Sequence, residues 1–383
     1  MSAKSKLTIG YVLDDSIDST DGVQQYVKTV SDWMMREGHD CHFIVGHSDS
    51  EADNVHSMSR VVKLKFNHNS VATPVPARSK RIHALLAAQT FDVLHVQMPY
   101  SPLLAGKIIA NAPQKTAVVG TFHILPYGKL NRHANTILAR TLRSSLGRFD
   151  DVVSVSPAAQ AFAKSVYGVN SDVVPNAVDT AKFVTKRSLK AEKRPARIVF
   201  LGRLVERKGV RELLAALVAL QTSHPQVASQ IECIIAGSGK LEISLKNYAK
   251  RHKIDHIVHF TGFVPEEDKP QLLASADVAV FPALGGESFG IVLIEAMAAG
   301  ARVVIGGDNP GYRSVLGERK ELLVDARNTQ AFAAALLKLL TDNKLREDVH
   351  RWQQRTIRQY DIAQVGPKLL SCYQSAIQKR KKG

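Results

Sequence analysis

One rhythm constrains this chain more than any other feature. Short runs rich in Val, Ile and Leu alternate with stretches of helical spacing, and the alternation is played through twice. "LTIGYVL" (7–13) is followed by an amphipathic stretch from Gly22 to Gly38, then by "CHFIVG" (41–46), "VVKLKF" (61–66), "FDVLHV" (91–96), "TAVVGTF" (116–122) and "DVVSVS" (151–156). The rhythm pauses at 175–196, "PNAVDTAKFVTKRSLKAEKRPA", a polar and basic segment with flanking prolines that reads as a linker. It restarts with "RIVFLGRL" (197–204), "IECIIAG" (231–237), "HIVHFTGF" (256–263), "ADVAVF" (276–281) and "ARVVIG" (301–306), and the last forty residues are helical in pattern.

Strands that alternate with helices of about 10–15 residues specify βαβ units and a parallel sheet. A chain of 383 residues has room for two such domains. The expected fold is therefore α/β: two Rossmann-like domains, residues 1–180 and 181–361, with parallel sheets facing a central cleft. A terminal helix of about 362–383 is expected to pack back on the first domain. Open α/β sheets bind ligands beyond the carboxyl ends of their strands, so informative residues should follow strands.

Composition excludes several classes. No apolar run approaches the roughly 18–20 residues of a spanning helix. The opening "MSAKSKLTIGYVL" reads as a first strand rather than a signal peptide. Cys41, Cys233 and Cys372 lie far apart without a CxxC, which suggests neither a disulfide framework nor a zinc site and points to a reducing, cytoplasmic setting. The formal net charge is +16, and between Asn54 and Phe149 thirteen Lys and Arg face a single acid, Asp92. Such a face attracts an anionic surface or substrate; the plainer alternative is a solvated face that aids solubility. Nucleic acid is not the expected partner, because the basic window lacks the interleaved aromatics that stack bases.

Two motifs follow strands. In "FLGRLVERKG" (200–209), Gly202 lets backbone approach a ligand, and Arg203 and Lys208 precede a helix N-terminus, which together suit a diphosphate. In "FPALGGESFGIVLIEAMAAG" (281–300), Ser288, Phe289, Gly290 and Ile291 open a helix whose free N–H groups can meet a phosphate. Glu287 lies just outside that helix, where it can accept hydrogen bonds from neutral hydroxyls. Glu295 lies on it, with Ile291, Ile294 and Ala298 marking the expected buried face. A carboxylate at each end of a diphosphate site suits a sugar and a ribose, hence a nucleotide sugar. Taken singly, each Glu is also compatible with a dipole-favoured or solvated surface acid.

These segments, with "GTFH" (120–123), "PNAVD" (175–179) and "DGVQQYV" (21–27), resemble the retaining family 4 glycosyltransferases of the GT-B fold over nearly the whole chain, and among them most closely the phosphatidylinositol mannosyltransferases. The resemblance implies site residues. Glu287 contacts the donor sugar, Glu295 the ribose, and Arg203 with Lys208 neutralises the diphosphate. His123 stands near the sugar, Gly22 belongs to a loop that closes on the donor, and Val264 falls where the base is held. Gln24, and with it Asp21 and Arg78, belongs to the acceptor side. The family's Gly-Gly loop is Asp21-Gly22 here, so Asp21 either turns from the diphosphate or reads an acceptor hydroxyl. Thr73 stands near the place where the lipid-inositol enzymes carry an arginine.

The resemblance further implies retention of configuration, a nucleotide sugar (GDP-mannose first) as co-substrate and no cofactor. The chain holds no Asp-x-Asp, so Arg203, Lys208 and the helix N-terminus are expected to stabilise the leaving group without a metal. The segment 78–90 reads as a helix with Arg78, Lys80 and Arg81 in its first turn, where cations oppose the dipole by about 0.3–1 kcal/mol each. That arrangement suits docking, through Ile82, Leu85 and Leu86, on an anionic membrane interface. The expected place of action is peripheral, at the inner face of the cell membrane. The rivals are a GT-B enzyme that uses a UDP-sugar on a soluble saccharide or polysaccharide precursor, and a non-catalytic binder of anionic surfaces.

Overall fold

The structure is a computed structural model and describes residues 6–59, 61–66, 69–74, 77–185 and 194–382. Residues 186–193 of the linker candidate and Arg60 of the basic window lie outside the described residues, as do the side chains of Lys63, Lys65 and Thr73. The chain forms two compact units, Met1–Ala177 with Ile362–Gly383, and Val178–Asp361.

The strands of the first unit are β1 (Thr8–Leu13), β2 (Asp40–Val45), β3 (Val55–Ser57), β4 (Val61–Phe66), β5 (Asn69–Pro74), β6 (Val93–Met98), β7 (Ala117–Phe122), β8 (Asp151–Ser154) and β9 (Asp172–Val173). Seven form a sheet in the order β3-β2-β1-β6-β7-β8-β9, with parallel pairing throughout. Every residue of β6 and β7 is buried. That is the signature of a parallel sheet covered on both faces, and it explains why these strands read as unbroken apolar runs.

"VVKLKF" departs from expectation. It is β4, and it pairs antiparallel with β5, from Val61 opposite Pro74 to Phe66 opposite Asn69, as a separate two-stranded sheet. Only two residues separate β4 from β5, and a parallel return needs a crossover of a dozen or more. The parallel edge is taken instead by β3.

The terminal helix Ile362–Lys382 packs on the helix Gly22–Arg36 and on β7. Gly366 makes that approach possible, since a Cβ there would lie 2.5 Å from the Trp33 ring. The chain enters the second unit at Val178 and leaves it at Asp361, and the two crossings run side by side: the Val178 N–H donates to the Tyr360 carbonyl at 2.9 Å.

The second unit carries β10 (Ala196–Leu201), β11 (Ile231–Ala236), β12 (Val258–Gly262), β13 (Val278–Phe281), β14 (Val304–Gly307) and β15 (Leu323–Val324), all parallel, in the order β12-β11-β10-β13-β14-β15. The chain winds outward from β10 and then returns to its other side, so the order reverses between β10 and β13. In the first unit it reverses between β1 and β6. Such reversal points open crevices at the carboxyl ends of the strands. Among the described residues no helix is long and apolar enough to cross a membrane.

Candidate functional site

Both motifs of the second unit emerge at its reversal point, one after β10 and one after β13. Residues Glu206–Lys208 form a single tight turn that ends at Gly209, φ 72°, before the helix Val210–Ser223. A Cβ on Gly209 would lie 2.0 Å from the Pro282 carbonyl oxygen. This close approach brings the turn against the loop after β13. Arg207 Nη1 then lies 2.5 Å, and Lys208 Nζ 2.9 Å, from the same oxygen, Oε1 of Glu287. All three side chains are largely buried. Both ion pairs fall on Oε1.

The charges settle each other. Burial alone would raise the Glu287 carboxyl, but Lys208 and Arg207 outweigh it and hold it below the usual carboxylate range. Burial lowers the Lys208 ammonium, helped by its neighbours Arg207 and Arg203 and opposed by Glu287. Arg207 was not among the expected site residues. Its signal is present in "ERKG", beside Lys208.

Glu295 is not a surface acid. It is 7% exposed, and the helix Ile291–Ala298 buries Leu293 through Met297 rather than a face of Ile291, Ile294 and Ala298. Its Oε1 lies 3.1 Å from Nζ of Lys269, which is equally buried and also lies 2.7 Å from Glu266. Burial lowers the Lys269 ammonium, but Glu295 and Glu266 overcome this and hold it above its ordinary value. Lys269 was also missed; 26 residues separate it from Glu295, and no periodicity links them.

The loop that carries Glu287 is clamped from behind. Asn309 donates from Nδ2 to the Ala283 carbonyl at 3.1 Å and accepts at Oδ1 from Tyr312 N–H at 3.0 Å. Phe289 is buried against Tyr360, and Gly290 precedes the helix. Ser288, Ile291, Gly202, Arg203 and Val264 are half-buried. Val264 follows the edge strand β12, two strands from β10.

In the first unit, His123 follows β7 and is 8% exposed. Its Nε2 meets Gln97 Oε1 at 2.7 Å. The Gln97 amide is oriented by donation from its Nε2 to the His95 carbonyl at 3.3 Å. His123 Nε2 therefore carries the proton, and Nδ1 is an acceptor. Burial pushes His123 down to about 3, so it is neutral near pH 7. Beneath it runs a buried polar chain: Tyr373 hydroxyl to His95 Nδ1 at 2.7 Å, His95 Nε2 to Thr121 hydroxyl at 2.6 Å, and Tyr26 hydroxyl to Thr121 at 3.2 Å. His95, also about 3 through burial and then His123, was not singled out in the sequence.

The acceptor-side expectations fare unevenly. Gly22 opens the first helix, and Asp21 before it is exposed and makes no side-chain cap. Gln24 is 3% exposed, and its Nε2 donates inward to the Ser16 carbonyl at 3.0 Å, so it braces the loop after β1. Arg78 precedes the helix Ser79–Ala88, with Arg78, Lys80 and Arg81 exposed. Ile82 and Leu86 are buried. They belong to the unit's own core, which corrects the expectation that they dock on a membrane; Leu85 is half-buried, and the exposed side carries the cations with His83, Ala84 and Ala87.

Comparison with known proteins agrees with this architecture. The family "Glycosyltransferase Family 4" matches residues 20–182, and "Glycosyl transferases group 1" matches residues 182–356. The phosphatidyl-myo-inositol mannosyltransferase of Mycolicibacterium smegmatis is 31% identical over 375 residues, covering 96% of this chain and 94% of that protein. The enzyme of the same name from Mycobacterium tuberculosis is 31% identical, covering 96% and 97%. Among solved GT-B structures, sucrose-phosphate synthase from Thermosynechococcus elongatus superposes with a TM-score of 0.78 at 16% identity, covering 97% of this chain and 100% of that one. HepE of Anabaena, solved with UDP and glucose, gives 0.69 at 16% identity, covering 96% and 100%. With its paired parallel sheets and both domain signatures in order, the chain belongs to the family 4, group 1 glycosyltransferases and is an enzyme of the GT-B fold.

Proposed function

We propose that this glycosyltransferase moves mannose from GDP-mannose to a phosphoinositide-type lipid at the inner face of a membrane, with retention and without a metal. The observation that carries the proposal is the cluster at the second unit's reversal point: Arg203, Arg207 and Lys208 after β10, with Glu287 and Glu295 after β13. It combines cations for a diphosphate with carboxylates for hydroxyls. The choice of mannose and lipid is supported by relatives about one-third identical over nearly the full chain, whose names give phosphatidyl-myo-inositol as acceptor.

In this reading the acceptor hydroxyl oxygen forms a bond to the anomeric carbon as the bond from that carbon to the diphosphate oxygen breaks. The hydroxyl proton passes to the leaving phosphate on the same face. Arg203 and Lys208 take the charge that develops on the leaving group, together with the N–H groups opening at Ile291, fixed donors that need little rearrangement. Glu287, held by Arg207 and Lys208 through one oxygen, accepts from a sugar hydroxyl with the other. Neutral His123 accepts a hydrogen bond at Nδ1 and is not a source of protons. Arg78, Lys80 and Arg81 attract the anionic surface, each basic residue contributing about 1 kcal/mol near it.

The test is a thermal-shift panel of GDP-, UDP- and ADP-sugars without added metal, followed by transfer of labelled mannose to lipid. A ligand at a hundred times its Kd adds about 2.7 kcal/mol. The expected result is stabilisation by the GDP series, lost in Arg203→Ala, and label in the lipid phase when phosphatidylinositol is supplied. Stabilisation by UDP-sugars alone, or label confined to water-soluble product, would overturn the donor or the acceptor assignment respectively.

A further inference from the structure

The proposed transfer leaves much of the basic face of the first unit unused. At the amino-terminal ends of β8 and β9, opposite the carboxyl ends of the strands where His123 lies, is a cavity of about 1020 Å³. Its walls are the last turns of the helix Lys129–Leu146, residues 164–172, the start of β8, and Lys379 of the terminal helix. Small-molecule sites occupy roughly 300–1,000 Å³, so the space is ample for one.

Four cations line it: Arg140, Arg143, Lys164 and Lys379. Lys379 lies 3.4 Å from Asp151. Arg140, Arg143 and Lys164 make no ion pair among the described residues, although they are gathered on one cavity. Asp150, the deepest carboxylate nearby, is already held by Arg380 at 2.6 Å and Arg148 at 3.3 Å. Asp151 and Asp172 remain, so positive charge is in surplus. The helix dipole favours cations in a last turn and would account for Arg143, and for Lys164 at the end of its own helical segment. It does not account for Arg140, which precedes the last turn of the long helix, nor for the meeting of Arg140 and Arg143 on one cavity with Lys164, which arrives from a different element. That element is a π-helical turn, Ala163–Tyr167, closed by Gly168 at φ 68°. Its buried Tyr167 donates to Asn135 Oδ1 at 2.7 Å and so pins the wall to the long helix. Turns of this kind are rare and occur often at functional sites. Leu146 and Val166 add apolar lining.

We propose that this cavity binds a phosphorylated ligand with an apolar portion, its phosphate held by Arg140, Arg143 and Lys164, apart from the transfer site. Two planar guanidinium groups and an ammonium are well suited to the three oxygens of a phosphate. The phosphate could come from a free metabolite or from a lipid headgroup, and two probes separate these sources. Inorganic pyrophosphate is titrated calorimetrically into the full chain carrying Arg203→Ala, which disables the donor diphosphate site. Vesicles of phosphatidylglycerol, against phosphatidylcholine, are tested by co-sedimentation.

Each charge-assisted hydrogen bond removed weakens binding by about tenfold or more. Arg140→Gln/Arg143→Gln should therefore weaken binding of one probe at least that much. Lys164→Gln, from the other wall, should do so independently even if the helix variant is disturbed. Arg132→Gln, exposed on the same helix outside the cavity, should leave binding unchanged. Loss for pyrophosphate assigns a soluble ligand, and loss for phosphatidylglycerol alone assigns a headgroup. Equal loss in Arg132→Gln, or no binding of either probe, would overturn the proposal.

Discussion

Glu287→Gln offers a direct test of the electrostatics of the second unit. The substitution is nearly isosteric and removes one negative charge. Arg207 and Lys208, whose side chains are 8% and 18% exposed, then face each other with no carboxylate between them. Removing one partner from a buried ion pair costs about 3–5 kcal/mol, because the remaining charge is uncompensated. Arg207→Met removes a cation but leaves Glu287 with Lys208 at 2.9 Å, so its cost should be the smaller, about 1–3 kcal/mol. Catalytic charges are often held at the expense of stability, and their removal then stabilises; the paired geometry here predicts the reverse. The chain has two tryptophans, Trp33 in the first unit and Trp352 in the second. A Trp33→Phe background therefore reports unfolding of the second unit alone by fluorescence. At about 2–4 °C per kcal/mol for a unit of this size, Glu287→Gln should lower its Tm by about 10 °C, more than Arg207→Met does. Pyrophosphate, which supplies the missing negative charge, should restore more of the Tm in Glu287→Gln than it adds to the parent. An unchanged or raised Tm in Glu287→Gln, or greater damage from Arg207→Met, would refute the reasoning.

Three further outcomes follow from the same geometry. Lys269→Met leaves Glu295 buried without its cation, so the variant should be destabilised by about 3–5 kcal/mol at pH 8 and recover as the pH falls and Glu295 protonates; Tm against pH checks this. His95 and His123 bind protons at pH 5–6 only when unfolded, their folded values being about 3. Their contribution is complete above about pH 6.5 and lost as pH falls. Asp14, raised to about 6 chiefly by burial and partly offset by the Ser101 and Ala105 amides, acts oppositely. The net loss for the first unit should be roughly 1.4 kcal/mol per pH unit between pH 6 and 5, one proton's worth, measured by urea unfolding and smaller in His123→Gln. Gly209→Ala forces a Cβ into the Pro282 carbonyl at a left-handed φ. It should cost more than the roughly 1–2 kcal/mol of that conformation alone and abolish nucleotide stabilisation in the thermal-shift panel.

The strands were legible because burial on both faces leaves a continuous apolar run, as in β6 and β7. "VVKLKF" misled because an apolar run marks a strand without naming its partner, and the two-residue connection to β5 decided that. The motif residues Lys208 and Glu287 were visible from their spacing to glycines and strand ends. Arg207 was adjacent and overlooked, since an arginine in a basic loop carries no mark of burial. Lys269 and His95 were beyond reach: one meets Glu295 across 26 residues, the other meets Tyr373 across 278, and only tertiary packing creates those neighbours. Glu295 lies on the expected helix, and of its two sequence readings the solvated surface acid is excluded by its burial. In this eight-residue helix Ile291 and Ala298, expected on the buried face, are half-buried at its two ends, and the five residues from Leu293 through Met297 are buried whatever their side, so periodicity could not reveal its setting.

The terminal helix has a consequence for biosynthesis. The second unit is an insertion within the first, and the tyrosine that completes the polar chain under His123 is made 278 residues after His95. At about 5–20 residues per second of synthesis, that interval lasts on the order of 15–55 s. Through it the nascent first unit carries an unfinished face, with Trp33 uncovered by Gly366 and His95 awaiting its hydroxyl, while the second unit can fold from a continuous stretch of chain. The unit that begins first is thus the one that finishes last.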